Sequence, residues 1–167
     1  DFHADKPNQK WCTDFTYLFL RNGDVRYNCA IIDLYDRSVV ASVTDKHITS
    51  DLAVRTLQKA LDPQHLTKGS LLLHSDQGSQ YTSKAFIQFC GSVHVTQSMS
   101  KAGYPYDNAP MERYFNTLKN ECTKLYEFRT DEELYQTVEA FAHVTYNHVR
   151  PHSYNGCRTP YQARMAA

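Results

Sequence analysis

Three carboxylates occupy positions in this sequence where an acidic side chain needs an explanation. Asp14 interrupts a run rich in aromatic residues, and Asp76 lies just past the apolar residues 71–73. Glu112 lies near the start of an amphipathic stretch. Oxygen ligands without soft ligands favour a hard cation, magnesium or manganese. Two such ions about 3.5–4 Å apart stabilise the attacking and leaving oxygens of a displacement at phosphorus, so the three residues suggest metal-dependent phosphoryl transfer.

Each carboxylate also has an ordinary explanation when it is taken alone. These explanations are a buried hydrogen-bonded Asp, an Asp in a turn, and a Glu that complements a helix dipole. The stretch around Glu112 strengthens the functional interpretation. At about 100° per residue, its predicted core face consists of Met111, Phe115, Leu118, Cys122 and Leu125. Along the edge of that face lie Glu112, Asn116 and Lys119, a set that either serves a metal ion and a phosphate backbone or forms an ordinary amphipathic boundary.

Composition narrows the class of protein. The 167 residues include 18 basic and 18 acidic ones, whereas an independent DNA-binding protein usually carries an excess of Lys and Arg. Any grip on nucleic acid is therefore expected to be local, metal-assisted or supplied by another segment. Five widely spaced cysteines without a CxxC pair favour a reducing cytoplasm over a disulfide framework or a zinc site. His148 and His152 are expected to be surface or loop histidines, and no membrane span or signal peptide is predicted.

The elements that position these residues follow from hydrophobic periodicity and turn residues. Strands are predicted at 11–20, 25–34, 37–43, 71–73 and 93–96. Helices are predicted from Thr49 or Ser50 to Pro63 and over 82–90, 110–125 and 131–147. The Asn22-Gly23-Asp24 turn makes the first two strands a hairpin, and residues 97–109 are expected to form a mobile loop. This order predicts an α/β fold: a mixed sheet with helices on its faces.

The last of these helices has its own start signal and core face. It begins at Thr130, the first residue of the capping-box sequence TDEE. The face predicted to pack on the core consists of Leu134, Val138, Phe141 and Thr145.

Four segments resemble a known family. WCTDFTYL, HSDQGSQYTS, QSMSKAGYPYDNAPMERYFNTLKNE and YNHVRPHSYNGCRTPYQA are similar, in order and spacing, to transposases of the bacterial insertion-sequence three family, within the retroviral-integrase group. The resemblance runs from Trp11 to Ala163. The 35 residues between Asp76 and Glu112 match the group's spacing, and Lys119 matches its basic residue seven places after the Glu. The resemblance implies a ribonuclease-H-like fold, with a five-stranded mixed sheet and helices on both sides.

The resemblance also implies roles for individual residues. Asp14, Asp76 and Glu112 would be the catalytic triad and hold Mg²⁺ or Mn²⁺, with two ions in the DNA-bound state. Residues expected to contact or position DNA are Asn108, Lys119, Asn116, Gln77, Ser79, Lys101 and Arg113. Gln77, Ser79, Gly78 and Gln80 would shape the pocket rim. The family's closing pattern is matched by Asn147, Arg150, Pro151 and His152, for which we expect a structural role, as we do for Asp33.

The implied activity is that of a transposase catalytic core, which cleaves DNA at insertion-sequence ends and transfers a 3′-hydroxyl end to another phosphodiester. We expect residues 1–167 to form one integrase-type core domain, excised from a longer chain with an upstream helix-turn-helix region. DNA, a homodimer or higher oligomer, and that upstream region are the expected partners, without a membrane, in the bacterial cytoplasm and at the nucleoid when acting. The alternatives are a ribonuclease-H-like nuclease that only hydrolyses, and an inert domesticated remnant.

Overall fold

One mixed β-sheet organises the chain. The computed structural model describes residues 2–104 and 108–167. The strands are β1 Lys10–Phe19, β2 Val25–Asp33, β3 Val39–Asp45, β4 Leu72–Ser75 and β5 Thr96–Met99, in the spatial order β3-β2-β1-β4-β5. The first three are antiparallel neighbours, whereas β4 pairs parallel with β1 and β5 pairs parallel with β4. The predicted five-stranded mixed sheet is confirmed.

Helices cover both faces of this sheet. The α-helices of the described residues are α1 Ser50–Leu61, α2 Ser79–Thr82, α3 Lys84–Ser92, α4 Ala109–Glu121, α5 Asp131–Ala140 and α6 Pro160–Met165. A π-helix, Phe141–Val149, continues α5, and short 3₁₀ turns occupy Thr123–Leu125 and Ser153–Asn155. Within the part of the chain that the structure describes, no helix combines the length and apolar character needed to cross a membrane.

The two faces of the sheet bury separate hydrophobic clusters. Trp11 packs with α1 and α3, and its neighbour Cys12 packs with α4 and α5, because successive side chains of a strand point to opposite faces. Both residues are fully buried. This alternation fixes which residues of β1 lie on the α4 face of the sheet.

Two predicted strands lie at different positions in the structure. The last strand was predicted at 93–96 but is Thr96–Met99, because Val93 and His94 form the turn after α3, with φ of 58° at His94. As an edge strand it is half-exposed, so its polar sequence is tolerated. The third strand begins at Val39 instead of residue 37, since Arg37 adopts a left-handed φ of 64° in the preceding turn. The expected loop over 97–109 is therefore shorter, and its residues 105–107 lie outside the described residues.

Two predicted core positions are wrong for the same kind of reason. Leu125 is 63% exposed because α4 ends at Glu121 and the chain changes direction before it. Thr145 is exposed while Tyr146 is buried, because a π-helical turn contains more residues than an α-helical one, so the buried face that begins at Phe141 recurs five residues later instead of four. The sequence reading also missed α6 and the break at Ser83, which caps α3 with its hydroxyl.

Candidate active site

Strand register places Asp14 and Asp76 at the same level of the sheet. The parallel pairing of β1 with β4 includes Cys12 opposite His74. Asp14 and Asp76 each lie two residues beyond that pair, and a spacing of two keeps a strand side chain on its face. Asp14 therefore lies on the Cys12 face, which α4 covers. Asp76 leaves the carboxyl end of β4, the edge at which parallel strands of α/β proteins place their sites.

Helix α4 brings the third carboxylate to the same edge. Met111 and Leu118 are fully buried against the β1 face that carries Cys12, so the first turn of α4 is held beside Asp14. Glu112 lies in that first turn and is exposed. Pro110 is tolerated here because the first amides of a helix have no intrahelical partner.

The three carboxylates line one open pocket. It has a cavity volume of about 450 Å³ and is lined by Asp14, Asp76, Gln77, Gly78, Ser100, Lys101, Ala102, Gly103, Tyr104, Asn108 and Glu112. Seven of the predicted site residues thus come together: the triad, Asn108, Gln77, Gly78 and Lys101. Of the pocket wall at 100–104, only Lys101 was predicted as a site residue, and the rest was predicted as part of a loop.

The electrostatics of Asp14 reflect this acidic environment. The pKa of Asp14 is raised to about 6, mainly by burial and also by the negative charges of Asp76 and Glu112. Hydrogen bonds from the Phe15 amide, at 2.8 Å, and from the Asn108 side chain lower the pKa in part. None of the three carboxylates forms an ion pair with a Lys or Arg within residues 2–104 and 108–167. The pocket is therefore a concentration of uncompensated negative charge.

Asn108 and Gly78 hold the two aspartates in place. Asn108 is only 6% exposed and donates from Nδ2 to the Thr13 carbonyl at 3.2 Å, while its Oδ1 is buried without a partner among the described residues. The Gly78 amide donates to Asp76 Oδ1 at 2.8 Å. A Cβ at position 78 would come within 2.8 Å of the same oxygen, so a side chain there would displace the Asp76 carboxylate.

The carboxylates share the pocket without forming a ready ligand cluster. Over the described ranges, no group of three acidic, His or Cys side chains is gathered closely enough to hold a metal ion. Like charges in a partly desolvated site repel, so their closest approach is costly without a cation between them. Their convergence on shared ions stays a prediction.

Four predicted DNA contacts lie outside this pocket. Lys119 lines a separate groove with Tyr17, Phe19 and Lys124, and burial together with the charge of Lys124 lowers its pKa. The other three, at exposed positions, are Asn116, Ser79 and Arg113. Their contribution to DNA binding stays a prediction.

The closing pattern makes contacts within the fold. Asn147 donates from Nδ2 to the Val39 carbonyl at 2.9 Å and accepts from the Val39 amide at 2.8 Å. Arg150 donates to both oxygens of Glu121, at 2.8 and 2.9 Å. His148 is exposed, whereas His152 lies in the connection after the π-helix with only 8% of its surface exposed. The hydrogen-bonding role of Asn147 could not be assigned from sequence spacing alone.

The sheet order and the acidic pocket at its edge define a ribonuclease-H-like protein. The chain belongs to the integrase core domain family: residues 4–105 match one model described as "Integrase core domain", and residues 93–160 match a second with the same description. It is 36% identical over 162 residues to transposase InsF for insertion sequence IS3A of Escherichia coli (strain K12), covering 97% of this chain and 56% of that protein. The chain thus spans about half the length of the curated relatives it matches.

Solved structures support the same fold. The simian T-cell lymphotropic virus intasome, in complex with PP2A regulatory subunit B56 gamma, contains a chain that matches with a TM-score of 0.80 at 20% identity, covering 97% of this chain and 56% of that one. The HTLV-2 integrase catalytic core domain in complex with magnesium (trimeric form) matches with a TM-score of 0.74 at 20% identity, covering 97% and 99%. The ribonuclease-H-like fold predicted from the sequence is confirmed.

Proposed function

We propose that this chain is the catalytic core of a DNA transposase that cleaves a DNA strand and transfers a 3′-hydroxyl end to another phosphodiester. The observation that carries the proposal is the shared pocket of Asp14, Asp76 and Glu112, within a chain of the integrase core family that is 36% identical to a transposase. Proposed partners are DNA, a second copy of the chain and an upstream DNA-recognition region of a longer protein, working in the bacterial cytoplasm.

The donor set of the pocket fits magnesium or manganese. Its ligands would be the carboxylates of Asp14, Asp76 and Glu112, which are hard oxygen donors. A bound divalent cation would stabilise the charged form of Asp14, whose pKa is raised. A water ligand of the cation could donate to Asn108 Oδ1, which has no partner among the described residues. When bound, such ions activate an attacking oxygen and stabilise a leaving oxygen at phosphorus.

The protein's own residues contribute position. Asp14 and Asp76 are fixed by the sheet register, and the amide of Gly78 and the side chain of Asn108 orient their carboxylates. Glu112 lies on the first turn of α4. Groups held on rigid strands and helices retain the geometry that a displacement reaction needs.

Strand transfer by single variants tests the proposal. Asp14→Asn, Asp76→Asn and Glu112→Gln should each lower the joining of labelled 3′-hydroxyl DNA ends, with Mg²⁺ or Mn²⁺, by about a thousandfold, as expected for several kcal/mol of transition-state stabilisation. Glu132→Gln, which removes an exposed carboxylate of α5, is the matched control and should join at the wild-type rate.

The products distinguish the competing functions. Joined products that depend on all three carboxylates support the transposase core. Cuts without joined products would indicate a nuclease that only hydrolyses. Near-wild-type joining by any triad variant would show that the assignment of that residue is wrong, and absence of both products and metal binding would indicate an inert remnant.

A further inference from the structure

A second cavity lies on the other side of the first turn of α4. It has a volume of about 600 Å³, and Ala109, Pro110 and Arg113 of α4 contribute to its wall. Asn108 and Glu112, on the same turn, line the acidic pocket. The two cavities are therefore separated by a single helical turn.

The second cavity is lined by arginines and no described acidic residue. Arg37, Arg113 and Arg150 contribute to its wall, together with the buried side chains of Tyr146 and His152. Burial raises the pKa of Tyr146 to about 12, while the charges of all three arginines lower it. All three guanidinium groups thus act on one phenol at the wall of this cavity.

Two of the three arginines have no carboxylate partner among the described residues. The charge of Arg150 is balanced by its two hydrogen bonds to Glu121. Arg37 and Arg113 form no ion pair with any described residue. Arg37 donates from Nη2 to the Phe2 carbonyl at 3.3 Å and lies 4.0 Å above the Tyr154 ring.

Two polar atoms at this cavity are buried without a hydrogen-bond partner among the described residues. They are Arg37 Nη1 and His152 Nε2. A buried guanidinium N–H without an acceptor is costly, more so than a neutral amide. Since no described residue of the cavity wall supplies an anion, the missing acceptor is expected to come from a ligand. Arginine presents a planar fork of donors that matches phosphate oxygens.

We propose that this arginine cavity binds a backbone phosphate of the DNA whose reacting phosphodiester lies in the acidic pocket, with Arg37 and Arg113 as its donors. The proposal rests on the proposed function. The acidic pocket itself repels DNA, because it carries three carboxylates against one lysine, Lys101, among its described lining residues. The whole chain has no net positive charge to offset this repulsion. Attraction must therefore come from a local cluster of unpaired cations.

Binding measured without divalent ions tests the cavity separately from catalysis. Labelled duplex DNA is titrated with the chain in EDTA by fluorescence anisotropy, from about 50 to 200 mM salt. Arg113→Gln and Arg37→Gln should each weaken binding about tenfold, as expected for a lost charged hydrogen bond. Each should also lower the slope of log affinity against log salt, by at most about 0.9, the value for one phosphate contact. Arg129→Gln removes an exposed arginine outside both cavities and should change affinity less than about twofold.

The two variants also distinguish a loss of DNA binding caused by unfolding from one caused by the missing phosphate contact. Arg37 is half-buried, so its variant is first checked by thermal unfolding, whereas Arg113 is exposed and its variant keeps the test valid if Arg37→Gln unfolds. Unchanged affinity and salt slope in Arg113→Gln would overturn the proposal. So would inorganic phosphate binding that Arg113→Gln abolishes while DNA affinity stays constant, because the occupant would then be free phosphate. If the salt slopes fall but no joined DNA forms with magnesium, the proposed function fails and the phosphate site stands.

Discussion

Two acidic clusters in this protein are built in opposite ways. Asp33 and Asp36 have fully buried side chains, and Arg164 pairs with both, at 2.9 and 2.7 Å. The amides of Tyr35 and Ser38 donate further hydrogen bonds to them. Burial and the charge of Asp36 raise the pKa of Asp33, while hydrogen bonds from the amides of Tyr35 and Asn8 and the charge of Arg164 lower it. Every carboxylate oxygen of this cluster has a donor.

The cluster of Asp14, Asp76 and Glu112 lines an open pocket and has no paired Lys or Arg among the described residues. Asp14 is partly buried and accepts from the Phe15 amide and Asn108, yet no Arg or Lys of the described residues pairs with it. Buried charges in proteins are usually paired, because an unpaired buried charge is costly. An acidic pocket without a paired cation is therefore a place where an external cation is expected. The compensated cluster holds the C-terminal helix to the sheet.

Removing the cation of the compensated cluster should have the largest effect. Arg164→Met keeps an unbranched side chain but removes its charge, so two fully buried carboxylates lose their cation. The free energy of unfolding should therefore fall by about 3–5 kcal/mol. Urea unfolding measures this. A loss below about 1 kcal/mol would show that water or another donor compensates these carboxylates.

Replacing Asp14 should change the free energy of unfolding in the opposite direction, toward higher stability. Its folded pKa of about 6 exceeds its ordinary value of 3.8, so the charged form is disfavoured in the folded state. This penalty is absent below about pH 4 and complete above about pH 6, where it reaches on the order of 2–3 kcal/mol. Asp14→Asn should therefore be more stable than wild type at pH 7, and the difference should shrink toward pH 4.

The difference in stability between wild type and Asp14→Asn isolates the contribution of Asp14. Burial also lowers the pKa of His152 to about 4, which destabilises the fold as pH falls, but this affects wild type and variant alike. Urea unfolding at several pH values without divalent ions gives the difference. A difference that does not change between pH 4 and pH 7 would contradict the repulsion inferred for the acidic pocket.

Divalent ions should stabilise only through the uncompensated cluster. Manganese at about ten times its dissociation constant should raise the free energy of unfolding by about 1.4 kcal/mol. Thermal unfolding should show the rise in wild type and lose it in Asp76→Asn, with Glu132→Gln as the control. Equal shifts in wild type and Asp76→Asn would place the ion elsewhere.

The smallest change in the free energy of unfolding is expected for the ion pair of Arg150 with Glu121, because Glu121 is partly exposed. Arg150→Met makes the same substitution as Arg164→Met, but Glu121 is about half exposed and water replaces its lost partner. The free energy of unfolding should fall by about 0.2–1 kcal/mol. A loss comparable to that of Arg164→Met would show that burial does not explain the difference between the two ion pairs.

Local patterns were enough to predict much of the fold. The Gly23 turn, the Thr49 cap and the alternating apolar residues predicted β1, β2 and α1, because these features act between neighbouring residues. The edge strand β5 and the exposed Leu125 were mispredicted. Their environments depend on sheet position and on where α4 ends, which periodicity does not contain.

The sequence by itself determined that Asp14, Asp76 and Glu112 are the carboxylates of interest, since their types and spacing are properties of the chain. Only the tertiary structure decided which of the other residues accompany them. Register between β1 and β4 places the two aspartates together, and the packing of α4 brings Glu112 and Asn108 to them while directing Lys119 to a different groove. The same packing brings Arg37 near Arg113, a pair 76 positions apart that no local pattern links. Long-range packing, and not sequence spacing, sets which charges remain unpaired.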